Sequence, residues 1–130
     1  MQVKIDTKEK FHVITILDPK ITANMTAEME KSLSALLQKE VKNVVLNLNS
    51  VTEIDVESAE SLVKIQQSFY ENNASFVICG IQPAMEEFLD NEQLLEMLSA
   101  TPTESEAWDI VQMEEIEREL LDDDDPAFHA

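Results

Sequence analysis

The chain contains very little glycine, proline and cysteine. Its 130 residues include one Gly, four Pro and one Cys. Because glycine and proline interrupt helices and strands, their scarcity predicts short loops and long helices. A single cysteine excludes an intrachain disulfide. No run of about 18 apolar residues is present, which is the length that a membrane-spanning helix needs, and the first residues lack a secretory signal pattern. We therefore expect a cytoplasmic protein without membrane insertion.

Positive charge is almost absent from the second half of the chain. Residues 65–130 contain one Arg and seventeen Asp or Glu, whereas residues 1–64 contain eight Lys and ten Asp or Glu. The formal net charge is −18. This field repels nucleic acid and anionic membranes, and a protein partner that meets the second half should be basic there. The alternative interpretation is that the acidic surface serves only solubility.

The common signatures of enzymes are also missing. The sequence contains no GxxxxGK[ST], GxGxxG, CxxC, HExxH or GxSxG motif. A phosphorelay receiver domain would need an Asp at the end of its third strand and a Lys after its fifth strand. Here Asn47 and Asn49 stand in place of that Asp, and no Lys follows Lys64. Two distant His and one Cys do not make a metal site. We predict no enzymatic activity, no cofactor and no metal.

Apolar patterns alternate between the periods of strands and helices. They predict an N-terminal hairpin, then a helix, a strand, a helix and a strand, and finally a short helix and a last helix. A segment at Leu94–Leu98 fits either a short edge strand, which we favour, or the end of the preceding helix. The predicted elements are strands at Gln2–Asp6, Phe11–Leu17, Val44–Leu48 and Ser75–Cys79, and helices at Thr22–Glu40, Val56–Tyr70, Pro83–Leu89 and from Thr103 or Ser105 to Leu121. The fold class is α/β, a mixed four- or five-stranded sheet with helices mainly on one face.

The final helix has a broad apolar stripe, which predicts that the helix docks on the sheet. Its members are Ala107, Ile110, Val111, Met113, Ile116 and Leu120. Four adjacent acids, Asp122–Asp125, then repel one another and oppose the helix dipole. They lack the spaced ligands of a calcium loop. We expect one folded domain over residues 1–121 and a disordered acidic tail over residues 122–130.

The loop Glu53–Ser58 joins a buried strand to a helix. In open α/β sheets, functional sites lie at the carboxyl ends of the strands, so this loop is the candidate site. Asp55 is placed to cap the following helix, and Glu57 in its first turn complements the helix dipole. Cys79 lies in an apolar strand and is expected to be an inert core thiol. His12 is expected at the surface or half-buried.

Two segments resemble one known family. VVLNLNSVTEIDVES and FVICGIQPAMEEFLD are similar to the third strand with its loop, and to the next strand with its helix, of the STAS domains found in sulfate transporters and anti-sigma factor antagonists. The similarity extends over roughly Gln2 to Leu121. It implies the STAS-like fold and a small module that binds proteins. In the antagonists, a Ser or Thr after the loop Asp is phosphorylated by the partner kinase.

The resemblance assigns the loop residues one by one. Asp55 stands at the family Asp, and Val56 stands at the phosphoacceptor position without a hydroxyl. Glu57 replaces the second Ser or Thr, and Ser58 replaces the Gly. The usual phosphorylation switch is therefore expected to be absent, unless a gap of one or two residues makes Ser58 the acceptor. The resemblance implies partner binding through Asp55, Val56, Glu57 and Ser58.

Two functions follow from this resemblance. The first is that of an anti-sigma factor antagonist, a partner-switching regulator of transcription or signalling that binds an anti-sigma factor of the serine-kinase type. The alternative is an accessory subunit of an ABC-type lipid transporter that binds another transporter subunit.

Overall fold

The computed structural model describes residues 2–98 and 100–123, and in this part of the chain it contains six strands, four α-helices and one 3₁₀ helix. The strands are β1 Val3–Thr7, β2 Phe11–Ile16, β3 Lys20–Ile21, β4 Asn43–Asn47, β5 Glu53–Ile54 and β6 Phe76–Cys79. The helices are α1 Ala23–Leu36, α2 Val56–Glu71, α3 Pro83–Asn91, the 3₁₀ helix Glu96–Leu98 and α4 Glu104–Asp123.

The main sheet has the strand order β1-β2-β4-β6. The pair β1 and β2 is antiparallel, and the pairs β2–β4 and β4–β6 are parallel. The predicted hairpin and mixed sheet are thus confirmed. All five residues of β4 are buried, as the continuous apolar run of a central parallel strand requires. Strands β3 and β5 form a separate parallel pair.

Helices cover both faces of the sheet unequally. On one face of the sheet, strand residues such as Ile14, Leu46 and Ile78 pack against α1, α2 and α3 and form the larger core. On the opposite face, other strand residues meet α4 in a smaller cluster, whose buried members are Val13, Val45, Val77, Cys79, Ala107 and Val111. Three of the four described α-helices share one face, which confirms the predicted arrangement.

The prediction of an edge strand at Leu94–Leu98 is wrong. This segment ends in the 3₁₀ helix, and both Leu94 and Leu98 are buried in the larger core. The 3₁₀ helix contacts α2, and this packing decides the conformation in place of strand pairing. Beyond β6, within the described residues, the sheet edge gains one isolated parallel bridge, from Cys79 to Thr101.

The prediction that the whole apolar stripe of α4 docks on the sheet is also wrong. Ala107 and Val111 are buried, whereas Met113, Ile116 and Leu120 are exposed. With 3.6 residues per turn, Ala107 and Val111 share one side of the helix and the other three residues share the opposite side. Helix α4 continues past Leu121 to Asp123. The rest of the predicted tail, residues 124–130, lies outside the described residues.

No helix in residues 2–98 and 100–123 combines the length and apolar character needed to cross a membrane.

Candidate functional site

The loop Glu53–Ser58 forms a corner between β5 and α2. Strand β5 pairs with β3, Lys20 opposite Glu53 and Ile21 opposite Ile54. Ile21 and Ile54 are buried, which fixes the end of β5 against the core. On the outside, Lys20 Nζ lies 3.8 Å from Glu53 Oε2 in an exposed ion pair. The corner is therefore anchored by two buried isoleucines and leaves its next residues to solvent.

Asp55 caps α2, as predicted. Its Oδ1 accepts a hydrogen bond of 2.7 Å from the backbone N–H of Ser58, and its backbone is extended, as is usual for an N-cap residue. This backbone N–H holds the pKa of the Asp55 carboxyl below its usual range. The carboxylate is thus committed to the helix end.

The three residues after Asp55 differ sharply in accessibility. Val56 is 36% exposed although it is apolar, and Glu57 is exposed beside it. Ser58 is fully buried, and its hydroxyl has no hydrogen-bond partner among the described residues. The first turn of α2 therefore exposes one apolar side chain and one carboxylate to solvent, while the serine side chain is buried.

A groove of about 280 Å³ adjoins the corner. Its walls come from β3, β5 and α3, with Lys20 and Asp55 at polar positions. Ala84, Met85 and Phe88 of α3 also line it, and the sequence analysis did not assign them to the site. The sequence places these three residues on one face of a short helix. It does not show which element that face packs against, because this depends on the tertiary fold. The groove can accept an apolar side chain next to Val56.

Asn47 and Asn49, at the end of β4 and just after it, have structural partners. Asn47 Oδ1 accepts from the Asn49 backbone N–H, and Asn47 Nδ2 donates to Glu104 Oε1 at 2.8 Å. Gly80 is next to them with a φ of 76°, and a Cβ there would collide with Asn49 Oδ1. These contacts fasten α4 and the β6 turn to the end of β4.

Cys79 and His12 are held by packing and hydrogen bonds within the fold. Cys79 is buried, and burial raises the pKa of its thiol to about 11, in agreement with an inert core residue. His12 is half-buried and its ring nitrogens contact Thr7 Oγ1 and the Val41 carbonyl, each at 3.0 Å. Among the described residues, no group of three or more His, Cys, Asp or Glu is arranged to hold a metal ion.

Comparison with known proteins agrees with this fold. The family model described as STAS domain matches residues 2–107. The structure of an anti-sigma factor antagonist from Mycobacterium paratuberculosis is 14% identical, covers 85% of this chain and 93% of its own, and has a TM-score of 0.70. The anti-sigma factor antagonist SpoIIAA of Bacillus, in its unphosphorylated form, is 14% identical, with coverages of 85% and 96% and a TM-score of 0.66.

A transporter also contains a similar fold. The murine anion transporter Slc26a9 is 12% identical over 79% of this chain and 18% of its own length, with a TM-score of 0.62. At these identities, the likeness to solved structures establishes the fold, and the family model covers most of the chain. The chain belongs to the STAS domain family.

Proposed function

We propose that this protein is a cytoplasmic, non-enzymatic binding module that acts as an anti-sigma factor antagonist. It binds an anti-sigma factor of the serine-kinase type through Asp55, Val56, Glu57 and the neighbouring groove. Ser58, which the resemblance also assigned to partner binding, is buried and is not part of this surface. The observation that supports this proposal most is the exposed Val56, an apolar residue at the corner that the resemblance to the family assigns to partner binding. We also propose that the chain forms one folded domain, which ends with α4 and is followed by an acidic tail.

The module works without the usual phosphorylation switch. Val56 has no hydroxyl, and Ser58 is fully buried at the start of α2, where a kinase active site cannot reach it unless the helix end opens. The next hydroxyl, Ser61 Oγ, donates to the Glu57 carbonyl within the helix. Glu57 instead supplies a fixed negative charge at the position after the family's acceptor. Complex formation is then controlled by the concentrations of this protein and of the anti-sigma factor.

A second candidate function is that of an accessory subunit of an ABC-type lipid transporter. It is favoured by the occurrence of a similar fold within a transporter chain and by the missing acceptor hydroxyl. Neighbouring transporter genes would favour this function, whereas a neighbouring kinase gene would favour the first.

Capture from the native host separates the two functions. The wild-type protein and Val56→Asp are immobilised, and bound proteins are identified by mass spectrometry. We expect the wild type to retain an anti-sigma factor and Val56→Asp to lose it, because the substitution places a charge in an apolar contact. Tyr70→Ser is the matched control, since Tyr70 is an exposed aromatic near the other end of α2. Retention of a transporter subunit instead would support the second function.

A further inference from the structure

Helix α4 has an apolar face that nothing in the described structure covers. Met113, Ile116 and Leu120 are 59%, 55% and 62% exposed. Their spacing of three and four residues places them in one stripe along two turns of the helix. The stripe, defined here as Met113, Ile116 and Leu120, lies opposite the side that packs on the sheet. Helix α4 is thus apolar on two sides, and its neighbours in the fold explain only one of them.

The stripe has the pattern of a helix-pairing surface. Positions 113, 116 and 120 correspond to a, d and a of a heptad, the positions that meet a second helix. Isolated exposed apolar residues are ordinary on protein surfaces, but a contiguous row on one helix marks an interaction surface. The partner that such a row fits is another amphipathic helix.

Charge determines which helix fits. Helix α4 contains nine acidic residues and one basic residue, Arg118. Arg118 is half-buried and donates to Ser75 Oγ at 3.2 Å, on the side facing the sheet. Glu117 and Glu119 flank the stripe and are exposed. The surface is therefore an apolar row between carboxylates, and its complement is an apolar row between Lys or Arg side chains.

The same charges disfavour a second copy of this chain. Pairing two α4 helices would bring Glu117 and Glu119 of one copy close to the same residues of the other, and like charges at these flanking positions are destabilising. The residues after α4 begin with further acids, Asp124 and Asp125. They too would place negative charge against a negative rim if they folded back.

We propose that the stripe on α4 is a second docking surface, which binds a basic amphipathic helix of a protein partner. It lies on the opposite side of the sheet from α2 and the Asp55 corner, so a partner at one surface leaves the other free. The module can then hold two proteins at once. The inference depends on α4 and stands independently of the function proposed for the corner.

A peptide titration tests the proposal with the full-length protein. The probe is a fluorescent synthetic peptide of about three heptads, with leucine at a and d and lysine at the flanking positions. We expect it to bind at least about tenfold more tightly than a scrambled peptide of the same composition. Ile116→Ser combined with Leu120→Ser should weaken binding by about tenfold or more, because burial of two large apolar side chains is lost.

Controls separate this outcome from general charge attraction. Tyr70→Ser removes an exposed aromatic outside the stripe and should leave the affinity unchanged, and circular dichroism should show both variants folded. Equal binding of the scrambled peptide, or no effect of the double variant, would overturn the proposal. A wild-type dimer in sedimentation that the double variant converts to monomer would also overturn it, because a second copy would then occupy the stripe. A tenfold gain in affinity after removal of residues 124–130 would do the same, because these residues would then occupy it.

Discussion

At the scale of single residues, Asp55 has a measurable structural role. We expect Asp55→Ala to lower stability at pH 7 by about 1 kcal/mol, the usual cost of losing an N-cap side chain. The reason is that the Ser58 backbone N–H loses its acceptor at 2.7 Å. Thermal unfolding of both proteins measures this loss as a fall of about 4 °C in the midpoint.

The pH dependence of this effect has a defined sign. The folded-state pKa of Asp55 is lowered, so its contribution is present above the unfolded value of about 3.9 and disappears as the pH falls through the folded value. The difference in stability between wild type and Asp55→Ala should therefore shrink below about pH 4. Asp55→Asn is the matched control, because it caps without titrating and its advantage over alanine should stay constant. A gap that widens in acid would contradict this assignment.

Gly80 is the second residue whose identity the fold requires. Gly80→Ala should cost at least about 2 kcal/mol, because a left-handed alanine is strained and its Cβ collides with Asn49 Oδ1. Urea unfolding gives the value. In an Asn49→Ala background the collision with Asn49 is removed and a close approach of 3.2 Å to Asn47 Oδ1 remains, so the cost of the same change should fall to about 1–2 kcal/mol. An equal cost in both backgrounds would mean that the contact with Asn49 is not the cause.

Ser58 provides a residue-scale test of the missing switch. We expect no phosphate on Ser58 when the protein is incubated with ATP and anti-sigma kinases, because its hydroxyl is fully buried. Peptide mapping by mass spectrometry is the measurement. A Val56→Ser variant, which places a hydroxyl at the exposed acceptor position, should accept phosphate and serves as the positive control. Stoichiometric phosphate on wild-type Ser58 would restore a switched antagonist.

At the scale of elements, the two apolar sides of α4 should respond differently to truncation. Val111 is fully buried, so Val111→Ala should destabilise by about 2 kcal/mol through lost burial and a residual cavity. Ile116 is more than half exposed, so Ile116→Ala should change stability by less than about 0.5 kcal/mol. Urea unfolding of the two variants makes the comparison. A large loss for Ile116→Ala would mean that the stripe is covered within the folded protein.

Some helices and strands could be predicted from sequence patterns alone, and others could not. Helices α1 and α2 were predictable because their apolar residues repeat at the helical period, and each begins after an N-cap, Thr22 or Asp55. The hairpin and β4 were predictable because their residues are apolar and largely β-branched. The 3₁₀ helix was not, since Leu94 and Leu98 fit a short strand as well as a helical turn. The stripe on α4 was misassigned because hydrophobicity alone does not distinguish a side facing the sheet from one facing a partner.

At the scale of the whole molecule, the STAS fold brings together what the sequence keeps apart. The corner loop was found from its own residues, and Asp55 was correctly interpreted as a helix cap. Its groove was not found, because Met85 and Phe88 reach it from α3, some thirty residues along the chain. The burial of Ser58 was likewise invisible, since a serine beside Glu57 at a helix start is usually solvated. Long-range packing decides both features.

The central claim is that the module binds its partner through the corner. Calorimetric titration of the captured partner into wild type, Val56→Asp, Glu57→Ser and Tyr70→Ser tests this most directly. We predict at least about tenfold weaker binding for Val56→Asp and no change for Tyr70→Ser. For Glu57→Ser we predict a salt-sensitive change of roughly fivefold, whose sign reports whether the partner's surface is acidic or basic. Identical affinities for wild type, Val56→Asp and Glu57→Ser would contradict the account.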